Sequence, residues 1–415
     1  MTARRSPLKP LDEALDELLG FALTLVGIEP VSTFEADDRV LAQDLVSALE
    51  VPTQDNSAMD GYAVRCADVV QAQSVLPVSQ RIAAGTSGEP LAPMSAARIF
   101  TGAPIPAGAD AVVMQEDCEL VRVKTESDGG AVRLKVMPVP GQWIRRAGQD
   151  VRRGAVILAK GVRLTPAALG LAASIGMNVL PVLRRPRVAL FSTGDELVMP
   201  GEVLPEQMKP GTIYNSNRFF LRALLLRLGC EVSDLGIVPD RLDATVQALR
   251  SAAQNHDLIL TSGGVSVGEE DHVRPAVQSL GTLDLWQIAI KPGKPFAYGR
   301  VQNAHFIGLP GNPVSSFITF LLLVRPFLLR LQGATELASR SIAVPAHFKW
   351  SKPDQRREFL RVKRNADGGL DLFPNQSSGV LTSAVWGDGL VDNPPVHTIA
   401  FGDVVRFISF SELMR

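Results

Sequence analysis

Apolar residues recur at three- and four-residue spacing through Leu11-Asp-Glu-Ala-Leu-Asp-Glu-Leu-Leu19, and this pattern predicts an amphipathic helix over residues 11–28. From Val51 to about Arg153 the period shortens. Brief β-like runs (Arg98 to Thr101, Ala111 to Met114, Ala131 to Val136) alternate with Gly/Pro turns, which predicts a small, mainly β domain. Residues 154–181 are apolar and glycine-bearing, and Leu183-Arg-Arg-Pro-Arg187 reads as a linker. Beyond it the texture alternates. Val188 to Phe191 is a buried strand, and Asn215 to Leu228 a helix with an Asn/Ser start and Gly229 as its stop. Val232 to Val238 is a strand, Leu242 to Gln254 a helix, and Asp257 to Leu260 a strand. Strands at Leu283 to Ile290 and His305 to Leu309 follow, then a helix capped by Asn312. From about Thr335 short β runs return, at Ser341 to Val344, Phe359 to Val362, Val396 to Phe401 and Val404 to Ile408.

The alternation of strand and helix implies a mostly parallel sheet with helices on both faces. Ligands of such sheets bind beyond the carboxyl ends of the strands, where Thr193, Ser262 and Lys291 fall. The expected architecture is therefore multidomain α/β, with a β-rich insertion and a small C-terminal β domain.

Length and composition narrow the class. The 415 residues exceed one core at the usual size of ~100–200 residues per domain. Apolar content of 46% with 20% charged residues describes a folded globular chain, and a net charge of −1 gives no global field toward nucleic acid or an acidic membrane. The basic stretch Met1 to Pro10 is not followed by an apolar signal core. The run Phe317 to Leu331 is interrupted by Arg325 and Pro326 and is shorter than the ~20 apolar residues of a membrane span, so a buried helix is expected there. Three scattered cysteines (Cys66, Cys118, Cys230) argue against a disulfide framework and fit a reducing cytoplasm. Five histidines without i, i+4 pairing leave no zinc pattern.

The chemistry sits at strand ends. Ser262-Gly-Gly-Val-Ser-Val-Gly-Glu-Glu-Asp271 follows the strand-like run His256 to Leu260, and its glycines leave backbone N–H groups open to an anion; Ser262, Gly263, Gly264 and Ser266 are the candidate contacts. An ordinary glycine turn would look the same in isolation. Lys291-Pro-Gly-Lys294 sets two ammonium groups on a rigid turn, suited to a small oxyanion or a diphosphate, although a basic surface turn is an equal reading of those residues alone. Gly308-Leu-Pro-Gly-Asn-Pro-Val-Ser315 ends a strand and opens a helix, whose N–H groups can receive an anion or simply be capped. Asp195, Glu196, Asp240 and Asp271 lie at or just beyond strand ends and suggest Mg²⁺ shared with phosphate oxygens. Asp60 and Asp150 both occupy turn-like contexts. These residues imply a phosphate-bearing substrate, an oxyanion and Mg²⁺, and leave the reaction open.

Read together and in order, DNSAMDGYA, TGAPIPAGADAVVMQE, STGDEL, TSGGVSVGEED, IKPGKPFAYG and GLPGNPVS resemble the molybdopterin molybdenumtransferase family, MoeA type, similar to the E domain of gephyrin. The resemblance covers essentially the whole chain. It implies an enzyme that inserts molybdate into adenylylated molybdopterin and releases AMP with Mg²⁺ assisting, working as a cytoplasmic homodimer beside a molybdopterin adenylyltransferase. It divides each subunit into a domain I of residues 24–50 with 152–184 and a β-rich domain II of 51–151. An α/β domain III of 1–23 with 185–334 has three layers around its sheet, and a β-barrel-like domain IV spans 335–415. Carried over by position, the functional set is Asp60, Thr101, Asp150, Glu196, Asp240 and Asp271, the last three acting on the metal. Lys291, Lys294, Pro310, Pro313, Ser315, Arg361 and Ser378 are the implied substrate contacts, with Gln149 and Gln287 standing where relatives carry Glu and often Lys. An adenylyltransferase, a peptide-binding scaffold and a non-catalytic pterin-binding regulator are the competing readings. An adenylyltransferase would need only the middle α/β domain.

Overall fold

The computed structural model describes residues 8–121, 130–264 and 272–414. Its centre is a six-stranded sheet. Glu231–Val238, Arg187–Thr193, Leu258–Ser262 and Ala304–Leu309 lie side by side in parallel, and Pro295–Val301 and Gly281–Gln287 extend the sheet antiparallel at one edge. Successive strand residues point to opposite faces, and each face has its own core. Val188, Leu190, Leu258, Leu260, Ile307 and Leu309 pack with the helices Leu11–Phe21, Asn217–Arg227 and Pro313–Leu331. Ala189, Phe191, Ile259 and Phe306 pack with Leu242–Asn255 and Val273–Leu280. The continuous apolar runs of these strands are what a sheet covered on both faces requires.

Three smaller units surround this one. The β-rich insertion is a six-stranded sheet in the order Ala111–Met114, Gly61–Val64, Ala96–Ile99, Val75–Ile82, Ala131–Leu134, Cys118–Val121. A connecting unit pairs Ile28–Ser32 with Val179–Leu183 and carries the helix Pro166–Ser174, whose first turn is capped by the Thr165 hydroxyl. The C-terminal sheet runs Ile290–Lys291, Arg357–Arg364, Gly389–Asn393, Val404–Ser409, Ile342–Pro345. Leu370–Leu372 pairs with Arg357–Arg364 and bridges back to Ala346, which gives this domain its barrel-like closure.

Several local expectations change. The first helix stops at Phe21 rather than 28, because Leu23 and Val26 are exposed and find no core to pack against. The strand expected over 283–290 ends at Gln287, and Ile290 and Lys291 pair instead with Arg357 and Glu358 of the C-terminal sheet. Pro295–Val301 is a strand that the alternation reading missed, its signal hidden behind the Lys-Pro-Gly-Lys turn. Pro313–Leu331 continues through Arg325 and Pro326 by way of a π-helical segment at Phe320–Val324. It is long and apolar enough to cross a membrane by composition, yet 89% of that window is buried in this fold. Asn312 makes no side-chain cap; the Val314 N–H is satisfied by the Ser378 carbonyl at 2.9 Å. The supposed linker is fixed, since Arg184 makes a two-pronged pair with Asp257 at 2.7 and 2.8 Å.

Candidate active site

At the carboxyl ends of the parallel strands lies an open cavity of about 720 Å³. Its wall brings together Thr193 and Glu196 after the first strand, Ser262, Gly263 and Gly264 after the third, and Pro310, Gly311, Pro313 and Ser315 where the fourth enters its helix. The loops can approach closely because of their glycines. Gly263 and Gly264 have φ of +88° and +67°, and a Cβ on Gly264 would collide with Cγ2 of Val273. Gly194, at φ +141°, gives its space to the Glu196 carboxylate. The Ser192 and Ser262 hydroxyls lie 3.4 Å apart beneath the loop.

Asn215, Asn217 and Gly379 also line the cavity, and the sequence did not mark them as site residues. Asn217 donates its amide to the Gly311 carbonyl at 2.7 Å, which ties two loops together. Asn215 is 2% exposed; its Oδ1 accepts the Arg218 N–H at 3.2 Å, and its amide nitrogen has no partner among the described residues. A buried donor with nothing to donate to is uncommon and costly, and in a cavity wall it marks a place for a ligand acceptor. In the sequence the Asn-Ser-Asn tripeptide reads only as a helix start.

The predicted basic residues separate. Lys291 lies 3.1 Å from Glu358 and 3.3 Å from Asp354, both in the C-terminal domain. Lys294 precedes the lining residue Pro295, and its carbonyl accepts the Ile288 N–H at 2.7 Å. Arg361 is buried at 1% exposure and does not reach out as a surface cation. Its guanidinium donates to the Ser383 hydroxyl and to the carbonyls of Phe359 and Ser377, and burial pushes its pKa down to about 10. It thereby holds the loop that delivers Ser378 to the start of the helix at Pro313 and Gly379 to the cavity.

A second cluster lies in the β-rich insertion. The Asp60 carboxylate accepts both the backbone N–H and the hydroxyl of Thr101 at 2.7 Å, and these bonds, helped by Arg98, hold its pKa below the ordinary carboxylate value. Asp55 accepts from Arg146 at 2.6 Å and from the Ala147 N–H at 2.9 Å, in the same turn as Gln149 and Asp150. None of Asp60, Thr101 and Asp150 is among the described residues lining this chain's own cavity.

Of the three carboxylates assigned to the metal, Glu196 lines the cavity and Asp240 follows the neighbouring strand, whose Val238 is in register with Thr193. Asp271, with Ser266, lies outside the described residues. Among the described residues no three His, Cys, Asp or Glu side chains form a metal-holding group. All three cysteines are free, and burial raises each thiol, to about 12 at Cys66 and Cys230 and about 11 at Cys118.

Comparison with known proteins completes the picture. Residues 9–176 match the MoeA N-terminal region (domain I and II), 189–330 a probable molybdopterin binding domain, and 343–410 the MoeA C-terminal region (domain IV). The molybdopterin molybdenumtransferase of Haemophilus influenzae is 43% identical over 338 residues, covering 81% of this chain and 80% of that protein. That of Synechococcus elongatus is 40% identical over 373 residues, covering 87% and 89%. The crystal structure of the molybdopterin biosynthesis moeA protein of Pyrococcus horikoshii superposes with a TM-score of 0.83 at 28% identity, over 97% of this chain and all of that one. The ordered motifs, the four-part architecture and these matches agree, and the chain belongs to the molybdopterin molybdenumtransferase family.

Proposed function

We propose that the chain inserts molybdate into adenylylated molybdopterin and releases AMP, a late step of molybdenum cofactor biosynthesis. The observation that carries this reading is the glycine-walled cavity at the strand ends, set in a chain that matches the family from residue 9 to residue 410. An adenylyltransferase would not need the β-rich insertion or the C-terminal domain, yet Gly379 of the latter forms part of the cavity wall.

The roles follow from the chemistry of the wall. The Gly263 N–H is spent on the Leu309 carbonyl and the Val314 N–H on the Ser378 carbonyl, so the Gly264 backbone and the Ser315 hydroxyl are the wall groups that suit the phosphoryl oxygens. The unpaired amide of Asn215 supplies one fixed donor. Lys294 adds positive charge beside Pro295 for the oxyanion. Mg²⁺ fits this donor set only in its usual manner, with one or two carboxylates and substrate oxygens in place of an all-protein cage. Glu196, Asp240 and Asp271 are the residues that would hold it, and bound there it would offset phosphate charge.

We further infer that the working unit is a homodimer with shared sites. Phe34 is fully exposed beside an apolar groove of about 490 Å³ lined by Leu169, Ala173 and Met177, a surface suited to burial against a second copy. Asp60 and Thr101, held ready yet apart from their own cavity, would then serve the partner's. The enzyme that supplies the substrate must transfer an adenylyl group to molybdopterin, and is a natural transient partner. The test is to incubate purified protein with adenylylated molybdopterin, molybdate and Mg²⁺ and to measure AMP and active cofactor. AMP formed only from ATP and molybdopterin would assign the adenylyltransferase reaction instead.

A further inference from the structure

The two lysines of the Lys291-Pro-Gly-Lys294 turn do not have equivalent surroundings. Lys291 is held by the C-terminal domain, with Nζ 3.1 Å from Oε1 of Glu358 and 3.3 Å from Oδ2 of Asp354. The Glu358 side chain is only 1% exposed, and its other oxygen accepts the indole N–H of Trp350 at 2.7 Å and the amide of Asn393 at 3.4 Å. Asp354 is in turn gripped by Arg356 through two bonds of 2.8 Å. The backbone repeats the connection: Lys291 is in register with Glu358, and the Arg357 N–H donates to the Ala289 carbonyl at 2.9 Å. At the far end of the turn the Lys294 carbonyl accepts from Ile288, and Gly293 packs so closely on the Thr319 hydroxyl that any side chain there would collide. Among the described residues Lys294 makes no ion pair.

We infer that Glu358 is a positioning residue: it anchors Lys291 as a strut between the C-terminal domain and the cavity, so that Lys294 alone presents its ammonium to the oxyanion. A buried carboxylate needs a paired cation, because an unpaired charge there is strongly disfavoured. Lys291 meets that need, and its charge is already shared with two carboxylates, whereas among the described residues that of Lys294 is not. The inference rests on the proposed molybdate chemistry for its kinetic consequence but not for its structural one.

Both are measurable on this chain. Glu358→Gln should raise amide exchange over residues 290–294 by roughly tenfold in the absence of ligand, the scale of one charge-assisted hydrogen bond. In AMP release the same variant should raise KM for molybdate by roughly tenfold with kcat within about twofold. Glu358→Asp should recover part of both effects, and Lys291→Ala combined with Glu358→Gln should be no worse than Lys291→Ala alone. Lys294→Ala should raise KM for molybdate and leave exchange unchanged. Exchange over 290–294 that is unaltered in both Glu358 variants would overturn the inference. So would a lower KM for molybdate in Glu358→Gln, which would make Glu358 a competitor for Lys291. If the wild-type chain shows no molybdate-dependent AMP release, the functional reading falls, and the exchange measurement still decides the role of Glu358.

Discussion

Asn215 shows how one side chain can be specified by what it lacks. Its oxygen is committed to the Arg218 N–H, which fixes the amide's orientation and leaves the NH₂ group without an acceptor among the described residues. Asn215→Asp keeps the oxygen that accepts from Arg218 and replaces the donor with a negative charge. The new charge is buried and unpaired, so the melting temperature should fall, and affinity of the folded variant for the phosphate-bearing substrate should drop about tenfold or more, read by calorimetric titration. Retained affinity in this variant would remove Asn215 from the site. Gly264 has the opposite constraint. A Cβ there meets both a left-handed backbone and Val273, so Gly264→Ala should cost about 1–3 kcal/mol in urea unfolding as well as activity.

Among elements, the antiparallel pair Gly281–Gln287 and Pro295–Val301 decides where charge meets the cavity. Gln287 is in register with Pro295, a residue of the cavity wall, at a position where the family resemblance implies lysine. Gln287→Lys should tighten molybdate binding about three- to tenfold at low ionic strength, with the gain shrinking at high salt because the added charge is screened. Binding that is unchanged at low salt would show that this strand end does not face the anion. The helix Pro313–Leu331 shows a different kind of constraint. Arg325 inside it is buried and donates to the Leu337 carbonyl at 3.0 Å, so a position that reads as an interruption in the sequence serves as a packed, hydrogen-bonded part of the core.

For the whole molecule, two behaviours follow. His305 is buried in the central sheet, 2.9 Å from the Tyr298 hydroxyl, and burial, reinforced by Arg300, lowers its pKa from 6.5 to about 4. The folded chain therefore keeps this imidazole neutral while the unfolded chain protonates it, so stability is full above about pH 6.5 and is lost as pH falls toward 4. The loss should be on the order of 3 kcal/mol from this group. His305→Gln should flatten that part of the pH profile in urea unfolding, and an unaltered slope would assign acid sensitivity elsewhere. The second behaviour concerns assembly. If Asp60 serves the partner's cavity, Asp60→Ala and Glu196→Ala chains, each inactive alone, should recover about a quarter of wild-type activity after subunit exchange, since half the dimers are mixed and each has one intact site. No recovery in verified mixed dimers would place both residues in one chain's site. Phe34→Glu should shift the protein toward monomers in sedimentation, and an unchanged dimer would place the interface on another surface.

Local pattern alone determined much of this protein. The buried strands around Val188, Leu258 and His305, the half-exposed edge strand around Val232, the helices between them, and the glycine loop after Ser262 were legible because period and turn chemistry are properties of neighbouring residues. Six ordered motifs were enough to imply the family. Tertiary structure alone decided which charges remain available. Lys291 and Lys294 look alike in sequence, but only the fold brings Glu358 to the first of them. Arg361 enters from the sequence only as an implied substrate contact, and the fold buries it as a brace for the loop at residues 377–379. Asn215 reads as a helix start and is instead an unsatisfied donor in a cavity wall. In each case the deciding partner lies far along the chain, and its approach depends on sheet order and domain packing, which no local pattern encodes.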